Sequence, residues 1–248
     1  MSDKLTRDAS ARLREIKATR RPDVWWREGN YGAARAWLLF VGPSPGGDNP
    51  DGRRWPAKRV RPSHKTLFTD PLSWPGYKVP IMSLVQRVAG LPWNKSGRIY
   101  AWANFDYVNC TDERTVEDRH MRAGFPHVLH ILMTAQPRVI IPVTVRSRLL
   151  LQELLEKEGA SHEPGRDFRV RGYPFLGEVR KLTGLAGLAA KGVGEAFIVK
   201  LPMHPRRLGL RADGVGKTIH RILIAHGAIS SRLGGKTGMS PLAASDSR

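Results

Sequence analysis

The sequence predicts an α/β fold three layers deep, with helices on both faces of a central, mainly parallel four-stranded sheet. Two observations predict it. Four short apolar runs read as buried strands: Ala36 to Val41 (AWLLFV), Arg98 to Phe105 (RIYAWANF), Arg138 to Val143 (RVIIPV) and Ala196 to Leu201 (AFIVKL). Stretches of helical periodicity separate them, and strands that alternate with helices pair in parallel because each crossover helix returns the chain to the same end of the sheet.

Taken in order, residues 3–19 place Leu5, Ala9, Leu13 and Ile16 at helical spacing among charges, which predicts an amphipathic opening helix. The first strand, 36–41, stops at GPSPGGDNPDG, a loop of turn-forming residues. A helix over 78–89 leads to the second strand, 98–105, and a longer helix over 116–135 leads to the third, 138–143. A helix over 146–158, the fourth strand at 196–201 and a closing helix over 215–226 complete the alternation. The segment 159–194 is rich in Gly and Arg with weak periodicity and reads as an irregular insertion. From Ser230 the chain turns to Ser, Gly, Ala and Lys without an apolar face, so 230–248 is expected to be a disordered tail.

A chain of 248 residues, 41% of them hydrophobic, suffices for one sizeable core, and a single domain over 1–229 is expected. Forty-one Lys and Arg against 22 Asp and Glu give a formal charge of +19, more than solubility requires. A polyanionic partner follows, with nucleic acid favoured; charge alone does not separate DNA from RNA, and a generally basic protein is the plainer alternative. Cys110 is the single cysteine, which excludes an intramolecular disulfide and a cysteine-held zinc or iron–sulfur group within one chain. Neither a secretory leader nor a run of ~18 apolar residues is present, so a cytoplasmic protein without membrane association is expected, acting as a monomer without metal or cofactor.

In an open parallel sheet, ligands sit outside the carboxyl ends of the strands. Three unusual polar loops follow strands here: GPSPGGDNP, NFDYVNC and PMHPRRLG. If the strands are neighbours, these loops converge.

An apolar strand with a G-x-x-P-G loop (LLFVGPSPGGDNPDGRRWP), an Asn-bearing second strand (IYAWANFDYVNC), a strand–helix unit (PRVIIPVTVRSRLL) and a late strand ending in His-Pro (FIVKLPMHPRRLG) occur in that order. Together they resemble the uracil-DNA glycosylase superfamily across roughly residues 36–228. The resemblance implies a DNA glycosylase that flips a damaged or modified base out of double- or single-stranded DNA and hydrolyses its N-glycosidic bond. A uracil-type base or a hypermodified phage base is implied as target, in repair or in antiviral defence. The alternative is a non-catalytic nucleic-acid-binding module on the same fold.

Under that resemblance, Gly42, Pro45 and Gly46 of the first loop cradle the base, with Gly42, Gly46 and Gly47 allowing close backbone approach; an ordinary tight strand-to-helix connection is the plainer alternative. Bond cleavage leaves positive charge on the sugar and negative charge on the base, which calls for an anion near one and a donor near the other. His204 matches the family histidine that stabilises the departing base. Pro43 and Ser44 stand where the family carries its polar catalytic residue, so Asp48 is the first candidate to orient water, with Asn49, Asp51 and Ser44 as rivals. Asp48 and Asn49 are equally good turn residues. Trp55 resembles the aromatic that stacks on the base in the iron–sulfur branch, whose cysteines this chain lacks; a Trp packed beneath the loop is the plainer alternative.

Asn104 reads the base edge through its amide, or else caps a turn, and Asn109 competes for the role in a second register. The resemblance also implies that Arg206 and Arg207 grip phosphates while Leu208 enters the minor groove as a wedge, with a solvated basic loop beside a buried Leu as the plainer alternative. Arg53 and Arg54 line the same groove. GVGKT at 214–218 imitates a phosphate-binding loop but has Arg211 where the leading Gly belongs, and reads as a helix start. His120, His127 and His130 share one helix without the partners a metal site requires.

Overall fold

A computed structural model describes residues 31–32, 36–43, 75–96, 99–105, 116–171, 174–183 and 195–229. The expected opening helix and the expected tail lie outside them.

The four apolar runs form strands β2 (Leu38–Gly42), β3 (Tyr100–Asn104), β4 (Val139–Pro142) and β8 (Ala196–Lys200). They are neighbours in the order β3-β2-β4-β8, and every pairing among them is parallel. Alternate side chains reach opposite faces of the sheet. Leu38, Phe40, Tyr100, Trp102, Val139 and Ile141 enter one core cluster, while Leu39, Val41, Ala101, Ala103, Ile140 and Ile198 enter the other. Runs buried on both faces are therefore continuously apolar, which is why they stand out in the sequence.

Helices α1 (Pro75–Ala89) and α6 (Ala212–Ala225) cover the first face through Leu84, Val88, Val215 and Ile219. Helices α3 (Asp118–Ala135) and α4 (Val145–Lys157) cover the second through Met121, Val128, Leu151 and Leu155. Helix α4 starts at Thr144, whose hydroxyl accepts from the Ser147 N–H at 3.1 Å. A four-residue helix α2 (Trp93–Ser96) precedes β3. The GVGKT stretch lies in the first turns of α6, where Gly216 serves packing. A Cβ on Gly216 would meet Arg87 Cβ at 2.6 Å and the Leu84 carbonyl oxygen at 3.2 Å, so glycine lets α1 and α6 close on each other.

The sheet departs from expectation in one respect. Among the described residues it has eight strands and is mixed rather than mainly parallel. A two-residue strand β1 (Tyr31–Gly32) pairs antiparallel with β3. The segment read as an irregular insertion supplies β5 (Ser161–His162), β6 (Arg166–Phe168) and β7 (Gly177–Thr183); β7 pairs antiparallel with β8, and β5 and β6 with β7. This ribbon is only half inside. Phe168, Val179 and Leu182 are buried, while Lys181 pairs with Glu163 and Glu195 at 3.3 and 2.9 Å. So few apolar residues leave little periodicity to read.

Candidate functional site at the carboxyl edge of the sheet

Parallel pairing brings the ends of β2, β3, β4 and β8 to one edge of the molecule. The Phe105 N–H donates to the Gly42 carbonyl at 3.0 Å and the Val143 N–H to the Val41 carbonyl at 2.9 Å, so three strand ends are pinned together. The chain pairs β3 on one side of β2 and β4 on the other, which makes the crevice above β2 and β4 the switch point where open α/β sheets hold ligands. Pro43 ends β2 by offering no N–H to the ladder.

Asn104 is buried at the end of β3, opposite Gly42 in the register. The two positions are complementary: a Cβ on residue 42 would fall on the Asn104 amide oxygen. Trp102, two residues earlier and so on the same face, donates its indole N–H to that oxygen at 3.1 Å. Trp102 is in turn stacked on Phe40, with ring centroids 5.1 Å apart and planes at 22°. The aromatic pair and the hydrogen bond fix the amide orientation, with oxygen toward Trp102. Trp102 is not among the residues the motifs single out, although its spacing of two from Asn104 places it on the same face.

Beyond β8, His204 caps the short helix α5 (Pro205–Leu208). Its Nδ1 accepts from the Arg206 N–H at 3.3 Å, and its carbonyl accepts from the Arg207 N–H at 2.9 Å. Burial pushes the imidazole pKa down to about 4, helped by the nearby Arg207 and Arg206 guanidiniums. A neutral ring with Nδ1 as acceptor carries its hydrogen on Nε2. His204 is therefore built as a neutral donor.

Because the folded pKa lies below the unfolded value near 6.5, protonation favours the unfolded chain, and this contribution to stability falls as pH drops from about 6.5 to about 4. For chemistry at this site, a pH–rate profile should carry no His204 inflection near pH 6.5; an inflection there that disappears in His204→Gln would contradict the neutral assignment.

Arg206 and Arg207 are exposed beside this cap. The wedge expected of Leu208 is not presented: Leu208 is 2% exposed and belongs to the first core cluster, because α5 packs against α1. Leu210 is 91% exposed. Gly209 between them has φ 52°, a left-handed backbone that favours glycine, and the chain reverses there into a 3-10 turn (Gly209–Arg211). Nothing in the leucine spacing announces the exchange.

The remaining candidates, Ser44, Pro45, Gly46, Asp48, Arg53, Arg54 and Trp55, with the rivals Asn49, Asp51 and Asn109, lie outside the described residues. Among the described residues, no group of three or more His, Cys, Asp or Glu is placed to hold a metal ion, and no helix is long and apolar enough to cross a membrane. No family model matches the chain, and no curated protein matches it.

Proposed function

We propose that the protein is a DNA glycosylase that excises a damaged or modified base, of the uracil type or a hypermodified phage base, in repair or antiviral defence. One observation carries the proposal: a neutral His204, oriented by its own helix cap and flanked by two exposed arginines, shares a sheet edge with the buried amide of Asn104 and the strand end at Gly42.

Hydrolysis breaks the bond from the sugar C1′ to the base nitrogen, and the electron pair leaves with the base. Nε2–H of His204 donates to the base as its charge grows, with no ionised imidazole required. Water forms the new bond to C1′ and releases a proton, with Asp48 proposed to orient it. Asn104 selects the base, its amide already aligned by Trp102. Arg206, Arg207 and Arg211 flank Leu210 along the chain, and Leu210 takes the role of wedge in place of Leu208.

The direct test is release of base from modified DNA, scored as alkali-labile abasic sites. A binding module without chemistry is the second reading, favoured by the buried Pro43, which offers no acid–base group where the family keeps one. Both readings place Arg206 and Arg207 on phosphates. Replacing both with Ala should weaken DNA binding across sequences and lower the slope of log affinity against log salt by about 2. An unchanged slope would remove this loop from the interface.

A further inference from the structure

A cleft of about 760 Å³ opens between the ends of β4 and β8 and the first turns of α4, reaching from His204 and Arg207 to Phe175 beside β7. Its rim is unusual. Of the five large apolar side chains exposed among the described residues, three surround this one cleft: Val145 at 63%, Leu149 at 54% and Phe175 at 60%. Soluble proteins seldom leave such groups together without a binding purpose.

The charges are equally uneven. Both carboxylates of the lining are engaged by arginine: Asp118 accepts from Arg146 at 2.7 Å, and Glu153 accepts both arms of Arg122 at 2.7 Å. Arg148, Lys200 and Arg207 add positive charge without a matching carboxylate in the lining. Arg148 spends one arm on the Gln152 amide oxygen at 3.1 Å, while its Nε has no hydrogen-bond partner among the described residues.

With the proposed glycosylase function as its basis, we infer that this cleft holds an unpaired stretch of nucleic acid next to the reacting nucleotide, one base stacked on Phe175 and its phosphates on Arg148, Lys200 and Arg207. The size is suited to a nucleotide, since ligand cavities of about 300–1,000 Å³ enclose molecules of that scale. A duplex does not fit into such a space. Every base has a π face, so an exposed ring flanked by cations takes single strands with little regard to sequence. An acidic peptide would use the cations and gain nothing from the ring. The substrate class that follows is single-stranded or locally opened DNA.

Fluorescence anisotropy of the full chain with a short labelled oligothymidine and with a duplex of equal length tests this. Phe175→Ala should weaken single-strand binding by about 10-fold, leave duplex binding within about twofold, and be rescued by Phe175→Trp. Equal loss on both DNAs, no loss on either, or displacement of the strand by polyglutamate as readily as by unlabelled oligothymidine would overturn the inference. Its failure is distinguishable from failure of the glycosylase function. Base release with single-strand affinity indifferent to Phe175 sinks only the cleft, whereas Phe175-dependent strand binding by a protein that releases no base sinks only the chemistry.

Discussion

His204→Ala should lower base release by about 10²–10³-fold while duplex affinity stays within about twofold, the effect of removing one preorganised donor from a developing anion. In the proposed reaction the imidazole would give its full hydrogen bond only as the base departs, so its loss should fall on the chemical step. Two roles must be separated, because Nδ1 also caps α5. Loss of a cap costs about 0.5–2 kcal/mol of stability. His204→Asn restores a capping acceptor with a shorter reach, and should recover the melting temperature without recovering base release. Equal loss of affinity and release in His204→Ala, with both returning in His204→Asn, would make His204 a structural residue.

Gly124→Ala should destabilise the fold by about 2–3 kcal/mol, a drop of roughly 5–10 °C in Tm by thermal melting. Gly124 lies in α3 against the chain just beyond Asn104, and a Cβ there would collide with the Phe105 carbonyl oxygen. Backbone cannot step aside as a side-chain tip can. The helix must lift off the end of β3, and base release should fall with stability because Asn104 immediately precedes Phe105. Gly214 provides the contrast within α6: among the described residues, nothing beyond its own helix and chain neighbours lies within 4 Å of a Cβ built on it. Gly214→Ala should therefore stabilise by up to about 1 kcal/mol through helix propensity alone. A Gly124→Ala protein that melts with the wild type would show that α3 does not sit this close to β3.

The elements of the fold differ in how plainly the sequence announces them. AWLLFV, RVIIPV and AFIVKL are buried on both faces, and burial on both faces writes itself as an unbroken apolar run. The ribbon of β5, β6 and β7 has no such run: Glu178 and Arg180 bond each other at 2.9 Å beside the buried Val179. β7 is fixed by pairing with β8, and β5 and β6 by pairing with β7, a non-local cause absent from local pattern. At the site, Asn104 is conspicuous as a polar residue closing an apolar strand, and His204 through the motif it sits in. Conformation leaves no such mark. Which of Leu208 and Leu210 faces solvent depends on the left-handed Gly209, and the hydrogen on Nε2 of His204 depends on where the Arg206 N–H points. The cleft at Phe175 is assembled from four separate chain segments, so no single stretch announces it.

Release of a base is measured directly by incubating purified protein with single- and double-stranded DNAs carrying uracil, hypoxanthine, alkylated bases or glucosylated cytosine, followed by alkali. A glycosylase yields strand breaks at one modified position, strongly reduced in Asp48→Ala and in His204→Ala. Salt-sensitive binding to every substrate with no break in any would contradict the proposed chemistry and leave a nucleic-acid-binding module in its place.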